Sequence, residues 1–120
     1  MNDMAITALA PTDVAQVLRS GRVLLIDVRE PQEYQQERIA GALLYPLSTF
    51  DNSALPRGEF PRVVFHCGSG KRSLAAAEKR LAAGSRGVAH MAGGIQAWKD
   101  AGLPVVSSGQ VPPPSTVTPI

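Results

Sequence analysis

The 120-residue chain holds a single cysteine, Cys67, inside the run His66-Cys67-Gly68-Ser69-Gly70-Lys71-Arg72-Ser73. The apolar stretch Val63-Val64-Phe65 precedes it, and a helical pattern from Lys71 to Ala83 follows. Strand, short glycine loop and helix N-terminus together form an anion cradle, because successive backbone N–H groups and the positive end of the helix dipole converge on one point. A thiol at the mouth of such a cradle is stabilised as thiolate, the form that attacks electrophiles. The alternative is an ordinary strand-to-helix turn, and the loop alone does not separate the two.

Lowering a free thiol (pKa ~8.5) by about two units takes ~2.7 kcal/mol of preferential stabilisation of the anion. A helix dipole supplies about 0.3–1 kcal/mol, so converging N–H groups between Gly68 and Ser73 have to supply the rest. Gly68 and Gly70 suit a ring of inward N–H groups, which needs backbone angles that most residues resist. Ser69 and Lys71 then sit on the rim, with Lys71 placed to meet an anion. Arg72 is expected to hold the loop, through neighbouring carbonyls or an acidic partner. Asp27 is a candidate for that partner or for orienting Arg29, and a purely structural Asp27–Arg29 pair is an equal alternative. His66 follows Phe65 in a strand, so its ring is expected to point away from the sulfur. His90 reads as a core or edge histidine.

The rest of the composition narrows the field. One cysteine excludes an internal disulfide, and two histidines argue against a metal site, so neither metal nor cofactor is expected. No apolar run approaches the ~20 residues of a membrane span and no leader pattern opens the chain, so a cytoplasmic, membrane-free setting is expected. The formal net charge is +2, too small to imply nucleic-acid binding. Its distribution is uneven: seven basic residues lie between Arg57 and Arg86 against Glu59 and Glu78. A small anionic substrate is drawn to that segment. Within it, Lys79 and Arg80 read as a solvated helix face.

The elements that position the cysteine follow from the apolar pattern. Val23-Leu24-Leu25-Ile26, Ala42-Leu43-Leu44, Val63-Val64-Phe65 and Val88-Ala89-His90-Met91 are continuous runs, typical of parallel strands buried on both faces. A weaker strand is expected at Ala5-Ile6-Thr7. Pro11 opens a helix with Val14, Val17 and Leu18 on one face, and Pro31 opens a short one through Glu37. Leu74, Ala77 and Leu81 line the helix after the cysteine. Ile95, Ala97 and Trp98 belong to a last helix closed by Gly102 and Pro104. The class is α/β, one domain over 1–106. Residues 107–120 carry no charge and contain Pro112-Pro113-Pro114, so a disordered tail is expected there.

Three blocks resemble the rhodanese family of sulfurtransferases, in its single-domain form. They are Leu25-Ile26-Asp27-Val28-Arg29-Glu30-Pro31 with Glu33-Tyr34 and Ile39-Ala40-Gly41-Ala42; the Cys67–Ser73 loop; and Gly93-Gly94-Ile95 with Ala97-Trp98 and Ala101–Val105. They occur in the family's order and span nearly all of Ile6 to Val105. One departure is Arg38, where family members commonly carry histidine. The resemblance implies a parallel sheet of about five strands with helices on both faces. It also implies sulfur transfer: Cys67 takes a sulfane sulfur from a small anionic donor such as thiosulfate, becomes a persulfide, and passes the sulfur to a thiol, cyanide or an acceptor protein.

Two rivals belong to other classes. Cysteine phosphatases and arsenate reductases also use His-Cys, a glycine loop and an arginine, but place five residues between cysteine and arginine. Here four intervene, Gly68 to Lys71, a ring too tight for a tetrahedral oxyanion. Rhodanese-like docking modules commonly lack the cysteine, which this chain keeps; a sulfur-relay module would share the chemistry and differ only in acceptor.

Overall fold

A computed structural model describes residues 6–58 and 61–108. The elements in chain order are β1 (Thr7–Leu9), α1 (Pro11–Arg19), β2 (Val23–Asp27), α2 (Pro31–Gln36), β3 (Glu37–Arg38) and β4 (Leu43–Leu44). Two 3₁₀ turns follow, Leu47–Thr49 and Asn52–Ala54, then β5 (Arg62–His66), α3 (Lys71–Ala82), β6 (Ala89–Met91), α4 (Gly94–Asp100) and β7 (Val106–Ser107).

Five strands make one sheet in the order β1-β6-β5-β2-β4, and every pairing in it is parallel. The two longest strands, β2 and β5, lie side by side near its centre, which explains why their apolar runs do not alternate with polar residues. Side chains do alternate between the faces. Leu25, Val64, Ala89 and Met91 pack on one side with Val14 of α1 and Ile95 and Trp98 of α4. Ile26, Phe65, Cys67 and Val88 pack on the other with Ala76 and Ala77 of α3. Leu25 and Phe65 are fully buried, and each such side chain stabilises the fold by about 1.5–3 kcal/mol.

Parallel pairing gathers all the strand C-termini at one edge. Asp27 and His66 are register partners there, so the turns leaving β2 and β5 emerge together. The turn leaving β6 joins them, as β6 lies next to β5. Ligand sites of open parallel sheets form at this edge.

The structure departs from the pattern at short elements. The weak first strand is Thr7–Leu9, two residues later than the apolar triplet indicates. α2 stops at Gln36, because Glu37 and Arg38 extend to pair antiparallel with Ser107 and Val106. A two-residue strand carries no period to read. Ser107 is therefore part of the fold, while 109–120, with the three consecutive prolines, lie outside the described residues. Arg80 also differs from expectation: it is buried, not solvated, and its guanidinium donates to Asn52 Oδ1 at 2.9 Å and Pro56 O at 2.7 Å. It fastens the 3₁₀ segment to α3. Among the described residues no helix is long and apolar enough to cross a membrane.

Candidate active site

Strand β5 ends at His66 and α3 begins at Lys71, leaving Cys67 to Gly70 to make the turn. Gly70 closes it with φ +107°, a left-handed conformation that other residues resist. That conformation turns the loop N–H groups inward. Gly70 N lies 3.1 Å from Cys67 Sγ and Ser73 N lies 3.3 Å from it. The loop carbonyls point outward, onto α4: Cys67 O accepts from Ile95 N at 2.8 Å and Gly68 O from Gln96 N at 3.3 Å.

Only glycine permits that contact. A Cβ on Gly94 would stand 2.4 Å from Gly68 C and O and 2.5 Å from Cys67 O. The Gly93-Gly94 pair thus lets the first turn of α4 hold the loop carbonyls, so that the loop N–H groups are left for the sulfur.

Cys67 has no exposed surface. Burial pushes its thiol up, but the N–H groups of Ser73, Gly70 and Ser69 and the Ser73 hydroxyl outweigh burial, and the thiol lies below its ordinary range. This is hydrogen bonding to the charged form, the usual way a reactive cysteine is prepared. Ser69 and Lys71 are exposed on the rim and Gly68 is half-buried.

Arg72 is held by Glu33 of α2, not by Asp27. Its two terminal nitrogens donate to Glu33 Oε1 at 2.7 Å and Oε2 at 3.0 Å. Arg72 in turn holds the Glu33 carboxyl down at about 2. Glu33 Oε1 also accepts from Glu30 N at 2.9 Å, so one carboxylate joins the start of α2 to the reactive loop. The acidic partner that sequence reasoning sought is thus 39 residues from the arginine. Its sole sequence signal is its place in the block that Pro31 opens.

Asp27 and Arg29 lie on the opposite face of the sheet edge. Arg29 Nη2 donates to Asp27 Oδ2 at 2.8 Å and Nε to Oδ1 at 3.0 Å, and Nη2 also donates to Glu37 O at 2.7 Å. Both residues are buried. His66 is on this side too, its Nε2 at 3.5 Å from Asp27 Oδ2 and its Nδ1 at 3.3 Å from Cys67 O. Burial pushes the imidazole pKa down despite the nearby Asp27, so His66 is neutral at pH 7. Its ring faces away from the sulfur, as strand alternation requires. His90, in contrast, reaches the site: its Nδ1 is 2.9 Å from Ser73 Oγ.

A parallel α/β sheet with a cysteine loop at the C-terminal end of a central strand narrows the class, and comparison with known proteins completes it. The rhodanese-like domain family matches residues 10–101, and the chain belongs to that family. It is 40% identical over 104 residues to an uncharacterized protein of Synechocystis, covering 87% of this chain but only 58% of that protein's length. It is 38% identical over 88 residues to a sulfurtransferase of Allochromatium vinosum, covering 71% of this chain and 79% of the relative. The crystal structure of a rhodanese-related protein from Thermoplasma volcanium superposes with TM-score 0.72 at 29% identity, over 83% of this chain and 97% of that one. The chain is thus a rhodanese-like domain that has a named sulfurtransferase among its relatives.

Proposed function

We propose that the domain moves a sulfane sulfur through a persulfide on Cys67. The observation that carries this reading is the convergence of the Gly70 and Ser73 N–H groups on Cys67 Sγ, at 3.1 and 3.3 Å, in a ring closed by the Arg72–Glu33 pair. The thiolate attacks the outer sulfur of a donor such as thiosulfate. The Sγ–S bond forms, the donor's S–S bond breaks, and its electron pair leaves with sulfite. The new terminal sulfur carries the negative charge, which the same ring of N–H groups is suited to hold. An acceptor, cyanide or a thiolate, then bonds to that sulfur, and the Sγ–S pair returns to Cys67.

Lys71, exposed beside the ring, is placed to attract the anionic donor. Four residues between Cys67 and Arg72 leave room for one sulfur and not for a phosphoryl group, which favours sulfur over phosphoryl transfer. The test is thiocyanate formation from thiosulfate and cyanide. Wild type should turn over, and Cys67→Ser should lose about a thousandfold or more, the scale on which removing a nucleophile acts, with an unchanged fold by circular dichroism. Equal turnover in the serine variant would end the mechanism.

A further inference from the structure

The buried groups around Cys67 form a path that the sulfur chemistry above does not use. Cys67 Sγ lies 3.7 Å from Ser73 Oγ, and Ser73 Oγ lies 2.9 Å from His90 Nδ1. Cys67 and Ser73 have no exposed surface, whereas His90 keeps a little. Among the described residues the one fully buried side-chain nitrogen or oxygen without a partner is His66 Nε2. His90 Nε2 therefore is not sealed in, and it has no partner within the described chain. The three groups run from the closed sulfur to solvent in two hydrogen-bonding steps.

From this geometry we infer that His90 is a positioning residue that carries the Cys67 proton to and from solvent through Ser73. The inference rests on the persulfide reading. With a neutral His90, the thiol donates to Ser73 Oγ and the Ser73 hydroxyl donates to His90 Nδ1. Before attack, the thiol proton passes to Ser73 Oγ, leaving the thiolate that then bonds to the donor's outer sulfur as the donor's S–S bond breaks. The Ser73 proton passes to Nδ1, and the imidazolium releases its Nε2 proton to water. When the acceptor removes the outer sulfur, the electron pair returns to Sγ and the proton returns by the reverse route. With the thiolate, a protonated Nδ1 donates to Ser73 Oγ and frees the hydroxyl to donate to sulfur, in place of its other acceptor, Gly70 O at 3.1 Å.

The surroundings suit this role. The register neighbours of His90 are Ala8 of β1 and Phe65 of β5, and Ser73 faces it from α3; none is charged. Among the described residues, the one titratable group hydrogen-bonded into this path is Cys67. Burial pushes the His90 pKa down, and no charged side chain opposes that, so the ring is free to accept a proton at pH 7. Imidazole is the side chain whose ordinary pKa lies between pH 5 and 8, so it takes up and releases a proton near neutrality.

Two measurements test the relay. The first follows the His90 ring protons by NMR against pH and needs no turnover, so it stands even if thiocyanate formation fails. Coupling is reciprocal, so removing the thiolate by Cys67→Ser should lower the His90 midpoint by about one unit, and Ser73→Ala should do the same. Midpoints equal to wild type in both variants overturn the inference. The second follows sulfite release from thiosulfate in a single turnover. His90→Asn keeps a hydrogen-bonding partner for Ser73 but cannot carry a proton. It should load sulfur about tenfold more slowly and lose the decline that wild type shows as His90 protonates at low pH. In His90→Ala, added imidazole should restore part of the rate. Wild-type loading and a wild-type pH profile in His90→Asn overturn the relay, whereas failure of wild type itself to load sulfur overturns the persulfide reading instead.

Discussion

Two polar clusters sit at the same edge of the sheet, one on each face, and they handle burial in opposite ways. Asp27, Arg29 and His66 form a closed set: the carboxylate and guanidinium neutralise each other, and Arg29 spends its remaining reach on Glu37 O. Cys67, on the other face, has N–H groups and a hydroxyl around it, and among the described residues no cation is hydrogen-bonded to its sulfur. Arg72, at the end of the loop, turns both terminal nitrogens to Glu33. A buried charge that brings its own counterion holds architecture together. A buried nucleophile held chiefly by hydrogen-bonding dipoles keeps its charge available for bonding. Residues one position apart in β5 and its turn, His66 and Cys67, belong to different clusters because alternate side chains leave a strand on opposite faces.

The contrast breaks most sharply at Asp27. Asp27→Asn leaves the Arg29 guanidinium buried without its counterion, and such a change costs about 3–5 kcal/mol. We expect a loss of that size in urea unfolding, with sulfur transfer per folded molecule within about twofold of wild type. A large loss of turnover at full folding would move Asp27 into the reactive cluster and erase the distinction.

The second prediction works inside the reactive cluster, between neighbours. Arg72→Ala removes both bonds to Glu33 and frees the loop from α2, so turnover should fall about a hundredfold or more with every donor. Stability should change by only about 1 kcal/mol, because this pair is partly exposed. Lys71→Ala should raise KM for anionic donors several-fold and leave kcat near wild type. Matching changes in KM and kcat for the two variants would show that rim and clamp are not separate.

The smallest effect is in the pH dependence of stability. His66 is neutral in the fold because burial holds it below the usual 6.5. The unfolded chain binds the extra proton, so this contribution is whole above about 6.5 and declines as pH falls, by at most ~1.4 kcal/mol per pH unit for one proton. His90 acts in the same direction. Glu33 acts lower: its contribution is complete above about 4.5 and fades as pH falls toward about 2. Urea midpoints from pH 7 to 5 should therefore drop in wild type, and His66→Gln should flatten the decline. An unchanged slope in that variant would show that His66 takes up a proton without unfolding.

Much of this arrangement is legible in the chain. Central parallel strands announce themselves as unbroken apolar runs, and the loop announces itself as cysteine between strand and glycines. What sequence could not supply is contact between distant segments. Nothing local joins Glu33 to Arg72, Gly94 to Gly68, or His90 to Ser73; each pair meets only because β2, β5 and β6 are neighbours in the sheet. Arg80 misled for another reason. Charge on an exposed-looking helical pattern implies solvent, and its partners are neutral oxygens of Asn52 and Pro56, which leave no acidic signal to read.

The seat of α4 on the loop carbonyls has a consequence for how the domain could be divided. Every reactive side chain named here precedes Gly93, yet the bonds that aim the loop inward come from Ile95 and Gln96. A fragment ending at Ala92 would carry the whole chemistry and none of its aim. The last helix acts as a mould, and the cysteine takes its working shape only once that mould has closed on it.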